Sequence, residues 1–244
     1  MSLVKKYIRY LFTSMVNDYE EELLTFFEKN PDAKFLDLGC FDGKRTLEMA
    51  NCIGTKLIWG ADIDNERIVE AIKKGIRAYN LDLNKEFPFK TNFFDIVTSI
   101  HSIEHLIYPD LFVAEIYRIL KPGGYVVIVT PNLASWHNIF ALLLGIQPFS
   151  GPNIFKESCL NSKGLWVLDE IEKENLKKQT ARQKDERHIK VMTYKTLIKL
   201  LELNKFRIQK AEGFGYYPFP YCLAKFLSKI DKTHTHYIII KAVK

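Results

Sequence analysis

Long hydrophobic runs are missing. The longest uninterrupted apolar stretch of the 244-residue chain is Ile139 to Ile146, well short of the ~18–20 residues that span a bilayer. Cysteine is scarce as well: Cys40, Cys52, Cys159 and Cys222 lie far apart with no paired spacing. That argues against a disulfide framework or a cysteine zinc site and for a reducing cytoplasm. A secretory leader is not expected, because the apolar stretch after Lys5, Lys6 and Arg9 runs at once into Asp18 and Glu20–Glu22 with no small-residue cleavage site. Internal repeats and low-complexity tracts are absent too. What remains, 47% hydrophobic and 26% charged residues, is ordinary globular usage and excludes disordered and fibrous classes.

Charge is unevenly placed. From Val191 to Lys244 ten lysines and arginines face Glu202, Glu212 and Asp231, a net +7, so the preceding 190 residues sum to −1. A basic C-terminal quarter is either a solvated lysine-rich surface or a face for nucleic acid, a phosphorylated substrate or an anionic membrane.

Residues 4–27 carry apolar side chains at helical spacing, which predicts N-terminal helices within 1–30. The pattern then changes. Short apolar runs at Phe35–Leu38, Leu57–Ala61, Ile76–Leu81, Phe93–Ile100 and Tyr125–Val129 alternate with helical patterns such as Asn65–Lys73 and Pro109–Leu120. This alternation predicts an α/β fold with a parallel sheet covered on both faces. Lys121-Pro122-Gly123-Gly124 reads as a turn between helix and strand. Residues 132–190 break the rhythm with the apolar Trp136–Ile146, a turn-rich segment and a charged helical pattern over 169–187. A helix over Thr193–Leu203 and strands Phe206–Ala211 and His236–Val243, linked by aromatic-rich Gly213–Tyr221, close the chain.

The chemistry concentrates at strand ends. The first strand runs into Asp37-Leu38-Gly39-Cys40-Phe41-Asp42-Gly43, and a helix starts near Lys44. The spacing is Gly-x-x-x-Gly, not the Gly-x-Gly-x-x-Gly of dinucleotide binders. An acidic residue two positions before the first glycine suits a ligand carrying an ammonium. Asp62, 23 residues after Gly39, ends the second strand, where a carboxylate can accept from both hydroxyls of a ribose. Asp82 ends the third, followed by Phe87-Pro88-Phe89, where an adenine could be edged. Ammonium, carboxylate, ribose and adenine together describe S-adenosylmethionine.

At these residues the chain resembles the class I S-adenosylmethionine-dependent methyltransferases. Phe35–Gly43 is similar to their first motif, Gly60–Ile63 to the second and Asn80–Asp82 to the third. Phe94–Val97, Ile103-Glu104-His105-Leu106 and Arg118–Gly124 resemble the following signature of the small-molecule branch. The resemblance implies one domain with a Rossmann-like three-layer sandwich and a seven-stranded, mostly parallel sheet whose last strand is antiparallel. Its parts would be N-terminal helices (1–30), a cofactor-binding core (34–132), a lid insertion (132–190), and a C-terminal helix with strands (191–244). It implies S-adenosyl-L-methionine as cofactor, with Asp37, Gly39, Cys40 and Gly43 about the methionyl end and Asp62 on the ribose. Ile63 would pack on the adenine, Asp82 and the Leu83 amide would meet its edge, and backbone at Ile100 and His101 would close the pocket. Phe41 stands where the family usually has glycine, so its side chain must point away from the cofactor.

The acceptor side is less defined. The fourth strand ends in Ser99-Ile100-His101-Ser102 and lacks both the Asn/Asp-Pro-Pro-aromatic cluster of base-amine methylating members and the Pro-Cys pair of cytosine-C5 enzymes. A small-molecule acceptor is therefore expected, methylated at oxygen, with a glycan or lipid-linked precursor as one class. An RNA methyltransferase and a non-catalytic cofactor-binding module are the alternatives. His101 and His188 are the catalytic candidates as general bases. Glu104 and His105 are expected to cap the following helix, no metal site is expected, and His234 and His236 read as rim residues. The aromatic and lysine-rich C-terminal part suggests contact with a membrane surface; oligomeric state is not readable.

Overall fold

The computed structural model describes residue 10, residues 19–152 and residues 188–244. The expected N-terminal helices before residue 19 and the charged helix over 169–187 lie outside them. Seven strands form one sheet: β1 (Phe35–Leu38), β2 (Ile58–Asp62), β3 (Arg77–Asn80), β4 (Phe94–Ile100), β5 (Leu120–Pro131), β6 (Arg207–Phe214) and β7 (Tyr237–Val243). Their order is β3-β2-β1-β4-β5-β7-β6. The first five are parallel, with Asp37 beside Gly60 on one flank and Thr98 on the other. β7 runs antiparallel, as Lys244 N→Gly124 O (2.9 Å) and Asn132 N→His236 O (2.8 Å) require. Among the described residues, residues 19–24 are helical, within the expected N-terminal helical region, and the further helices are α1 (Lys44–Ile53), α2 (Asn65–Lys73), α3 (Pro109–Ile119), α4 (Trp136–Leu143), α5 (Tyr194–Leu203) and α6 (Tyr221–Ile230). The expected α/β architecture, with helices flanking a mostly parallel sheet, is what the chain adopts.

Two compact units share the chain. One comprises residues 21–130, 195–211 and 239–244; the other comprises 1–20, 131–194 and 212–238. In the first, the central strands bury Phe35, Leu36, Leu38, Ile96, Val97, Ile128 and Val129 on both faces. Each such side chain contributes about 1.5–3 kcal/mol of burial. α2 begins where the Asp64 carboxylate accepts from Glu66 N and Arg67 N (2.8 and 3.3 Å), an N-cap that fixes its first turn.

Three expectations change. β5 begins at Leu120, so Lys121–Gly124 is not a free turn but an irregular stretch of strand: Phe94 pairs Leu120 and Ile96 pairs Tyr125. The third strand stops at Asn80, two residues before Asp82, and there the Asn80 side-chain amide donates to Ile63 O at 2.7 Å. Finally, α6 occupies a stretch in which the sequence pattern showed no helix.

Candidate functional site

The β1–α1 turn is built on left-handed backbone. Gly39 (φ 88°) and Gly43 (φ 80°) take it without strain, and Phe41 (φ 50°) takes it against the preference of an L side chain. A Cβ on Gly39 would collide with Ser102 Oγ, so no larger residue fits. Phe41 is the family departure. Its ring points out, 45% exposed, beneath the Arg67 guanidinium at 4.2 Å, while its N–H donates to Asp62 Oδ2 at 2.9 Å. Because the strain belongs to the Cβ, Phe41→Gly should be more stable than Phe41→Ala by about 1 kcal/mol, the reverse of the usual order. Denaturant melts of the two variants measure it; an alanine variant as stable as the glycine one would contradict the strain.

Beneath the turn Asp37 is buried. Thr46 Oγ1 donates to its Oδ2 (2.6 Å) and Thr98 Oγ1 to its Oδ1 (2.7 Å). Burial pushes its pKa up, and the two hydroxyls oppose that rise. Neither threonine was singled out from sequence: Thr98 arrives through the β1–β4 register and Thr46 through the first turn of α1. Cys40 faces inward with Ile68, Ala71 and Ile76, and its amide donates to Ala61 O at 3.0 Å. Its thiol is thus a core group, held protonated by burial.

At the end of β2, Asp62 accepts from Phe41 N and, through Oδ1, from Asp64 N at 3.0 Å. Ile63 beside it is 70% exposed, an apolar side chain offered at the C-terminal end of β2. Asp82 Oδ1 accepts from the Asn84 amide nitrogens, N at 3.0 Å and Nδ2 at 3.2 Å, and Leu83 is buried. Arg118 and Glu115 fix the adjoining loop: Arg118 donates to Phe87 O and Phe89 O (2.9 and 2.8 Å), and Glu115 accepts from Phe87 N (2.7 Å). The Arg118 hydrogen bond holds the Glu115 carboxyl below its ordinary range.

β4 ends at buried Ile100, and His101 follows with φ 53° and its N–H on Val129 O (2.9 Å). His101 Nδ1 faces Glu104 Oε1 at 3.4 Å; Glu104 is fully buried and its Oε2 accepts from Thr130 Oγ1 at 3.0 Å. The expected capping role of Glu104 is therefore corrected. It lies in a short 3-10 turn, Ile103–His105, and its carboxylate points into the core behind the His101 ring.

The other unit carries its own polar and aromatic set. His188 Nδ1–H donates to Ser150 O (2.7 Å), which directs the neutral ring's lone pair to Nε2. Ser150 is held in turn by Asn138. His137 Nε2 meets His236 Nδ1 at 3.0 Å, with Phe149 stacked on His137 and Tyr217 edge-on to both. Burial pushes His137 down to about 4 and Tyr217 upward. Asp231 would be raised by burial, but hydrogen bonds from Thr233, Tyr216 and His234 outweigh it and hold the carboxyl well below its usual range. His234 and His236, expected at the rim, are thus members of packed networks.

Comparison with known proteins follows the same lines. A family model described as a methyltransferase domain matches residues 7–211. The ubiquinone/menaquinone biosynthesis C-methyltransferase UbiE of Burkholderia multivorans is 33% identical over 106 residues, 41% of this chain and 43% of that protein. The Burkholderia cenocepacia protein of the same name matches at the same identity and coverage. This chain therefore spans less than half the length of the curated relatives it matches. Among solved structures, an S-adenosylmethionine-dependent methyltransferase from Mesorhizobium loti superposes with TM-score 0.59 at 15% identity, covering 92% of this chain and 96% of that one. The geranyl diphosphate C-methyltransferase of Streptomyces coelicolor, in complex with S-adenosyl-L-homocysteine, gives 0.57 at 12%, covering 93% and 80%. At such identities the likeness is one of fold.

Proposed function

The chain belongs to this methyltransferase family and takes S-adenosylmethionine as donor, and from that premise we propose that it methylates a small molecule whose accepting atom gives up a proton, in the first instance a hydroxyl oxygen. The observation that carries this reading is the buried Glu104 carboxylate behind His101. Amine and carboxylate acceptors react without a base, whereas a hydroxyl gains about 10²–10⁴-fold from one.

The residues at the strand ends fit the donor. Asp62 offers a carboxylate for hydroxyls next to exposed, apolar Ile63, which suits a ribose carrying an aromatic base. The Gly39–Gly43 turn opens on α1, where Lys44 N donates to Asp42 Oδ1 (3.1 Å), and the positive dipole end of the helix behind it favours a carboxylate. Asp37 below the turn supplies negative charge for an ammonium, Asp82 and Leu83 border the base, and backbone at Ile100 and His101 closes the cradle. S-adenosylmethionine, when bound, supplies a methyl group already activated on a sulfonium. His101 takes the acceptor's proton on Nε2 while Glu104, held by Thr130, faces its Nδ1, and its partly exposed edge returns that proton to water. His188, with Nδ1 committed to Ser150, is the second candidate base. The free thiols Cys40, Cys52 and Cys222 support the cytoplasmic location read from the sequence.

The relatives' name, C-methyltransferase, favours a second reading in which the proton leaves an activated carbon; the same pair of residues serves either. Incubating the protein with S-adenosylmethionine and a panel of phenols, quinols, glycans and lipid-linked sugars, with release of S-adenosylhomocysteine as readout, tests the proposal. A hydroxyl or carbon-acid acceptor should stimulate release. Stimulation by RNA alone would overturn it.

A further inference from the structure

α6 is built inside out. It buries Ala224 and Ser228, the small residues of one face, and leaves Leu223, Phe226 and Ile230 exposed at 39%, 59% and 68%. The spacing 223, 226, 230 puts those three on one stripe of the helix. An ordinary surface helix does the reverse, burying its large apolar side chains against the core. α6 has Lys225 and Lys229 beside the stripe and no acidic residue. The same unit exposes a second apolar row at the end of α4, Phe140, Leu143 and Leu144, at 55%, 75% and 75%. The two rows are linked by packed groups. Phe140 contacts Trp136, the Trp136 indole donates to Tyr216 Oη at 2.6 Å, and Tyr216 Oη donates at 2.7 Å to Asp231, the residue that follows Ile230.

We propose that this face docks on an anionic lipid bilayer, with α6 lying in the headgroup plane. Large aliphatic and aromatic side chains enter the acyl boundary, and lysine stems snorkel along it with their ammonium groups at the phosphates. The charge supports a bilayer over a protein partner: α6 is a cationic helix with Lys225 and Lys229 and no acidic residue, which complements the negative surface of anionic lipid. Exposed apolar rows of this kind are otherwise an aggregation liability.

Co-sedimentation of the full chain with phosphatidylcholine vesicles, with and without about one-third phosphatidylglycerol, tests this at moderate salt. The chain should pellet with the anionic vesicles and much less with neutral ones. Phe226→Ser and Ile230→Ser should each weaken binding about tenfold or more, and Lys229→Gln about fivefold on anionic vesicles only. These side chains are exposed, so each variant should keep the wild-type circular-dichroism melt. No binding to anionic vesicles by the folded chain would overturn the proposal. So would a dimer in sedimentation velocity that Phe226→Ser dissociates, which would make the stripe a self-association surface.

Discussion

His101→Gln should lower methyl transfer to the identified acceptor by about 10²–10⁴-fold and leave the affinity for S-adenosylhomocysteine near wild type. The residue contributes backbone to the cofactor side and its ring to the acceptor side, so kcat should fall while the KM for S-adenosylmethionine holds. Glu104→Gln keeps the shape and the Thr130 contact at one oxygen but replaces the carboxyl oxygen facing Nδ1 by an amide NH2. It should lose part of the same rate by the same kcat route. Residues that act as one unit are non-additive, so the double variant should be little worse than His101→Gln alone. Steady-state kinetics on the three variants decides it. Full activity in His101→Gln with loss in His188→Gln would move the proton to His188, and additive losses would separate Glu104 from His101.

Asp62→Ala should weaken S-adenosylhomocysteine binding by at least about tenfold. A charge-assisted hydrogen bond contributes about 1.5–3 kcal/mol, and tenfold corresponds to about 1.4 kcal/mol. The structure adds a second source of loss. Asp62 Oδ2 accepts the Phe41 N–H that holds the strained turn, so its removal also releases the cradle. Asp62→Asn keeps one acceptor oxygen for that N–H and should fall between wild type and alanine. The fold should survive in both, because the side chain sits at a strand end rather than in the core. Calorimetric titration reads the affinities.

Much of this was legible in the chain. α2 matches its expected bounds, Asn65–Lys73, because Asp64 caps it and its apolar spacing faces the sheet. The strand runs were apolar throughout because parallel strands are covered on both faces. α6 was not legible for the opposite reason: its large apolar residues face outward and its buried face is Ala224 and Ser228, so its periodicity points away from any core. The irregular start of β5 was hidden by Gly123-Gly124, residues that serve a turn and a bulge equally well. At the site, the carboxylates were visible by their spacing after each strand, but their partners were not. Thr98 reaches Asp37 only through the β1–β4 register. Thr130 reaches Glu104 through folding of β5 beside β4. That the Cys40 thiol packs inward against Ile68, Ala71 and Ile76 was also hidden, because it depends on helix α2 covering the turn.

The central claim is that the C-terminal ends of β1, β2 and β3 form a cradle for S-adenosylmethionine. Titrating the full chain with S-adenosylhomocysteine and with NAD in the calorimeter tests it most directly. One site per chain for S-adenosylhomocysteine, weakened at least about tenfold in Asp62→Ala, with no saturable heat from NAD, is the result this account predicts. Tight NAD binding with no response to S-adenosylhomocysteine, or equal affinities in wild type and Asp62→Ala, would contradict it.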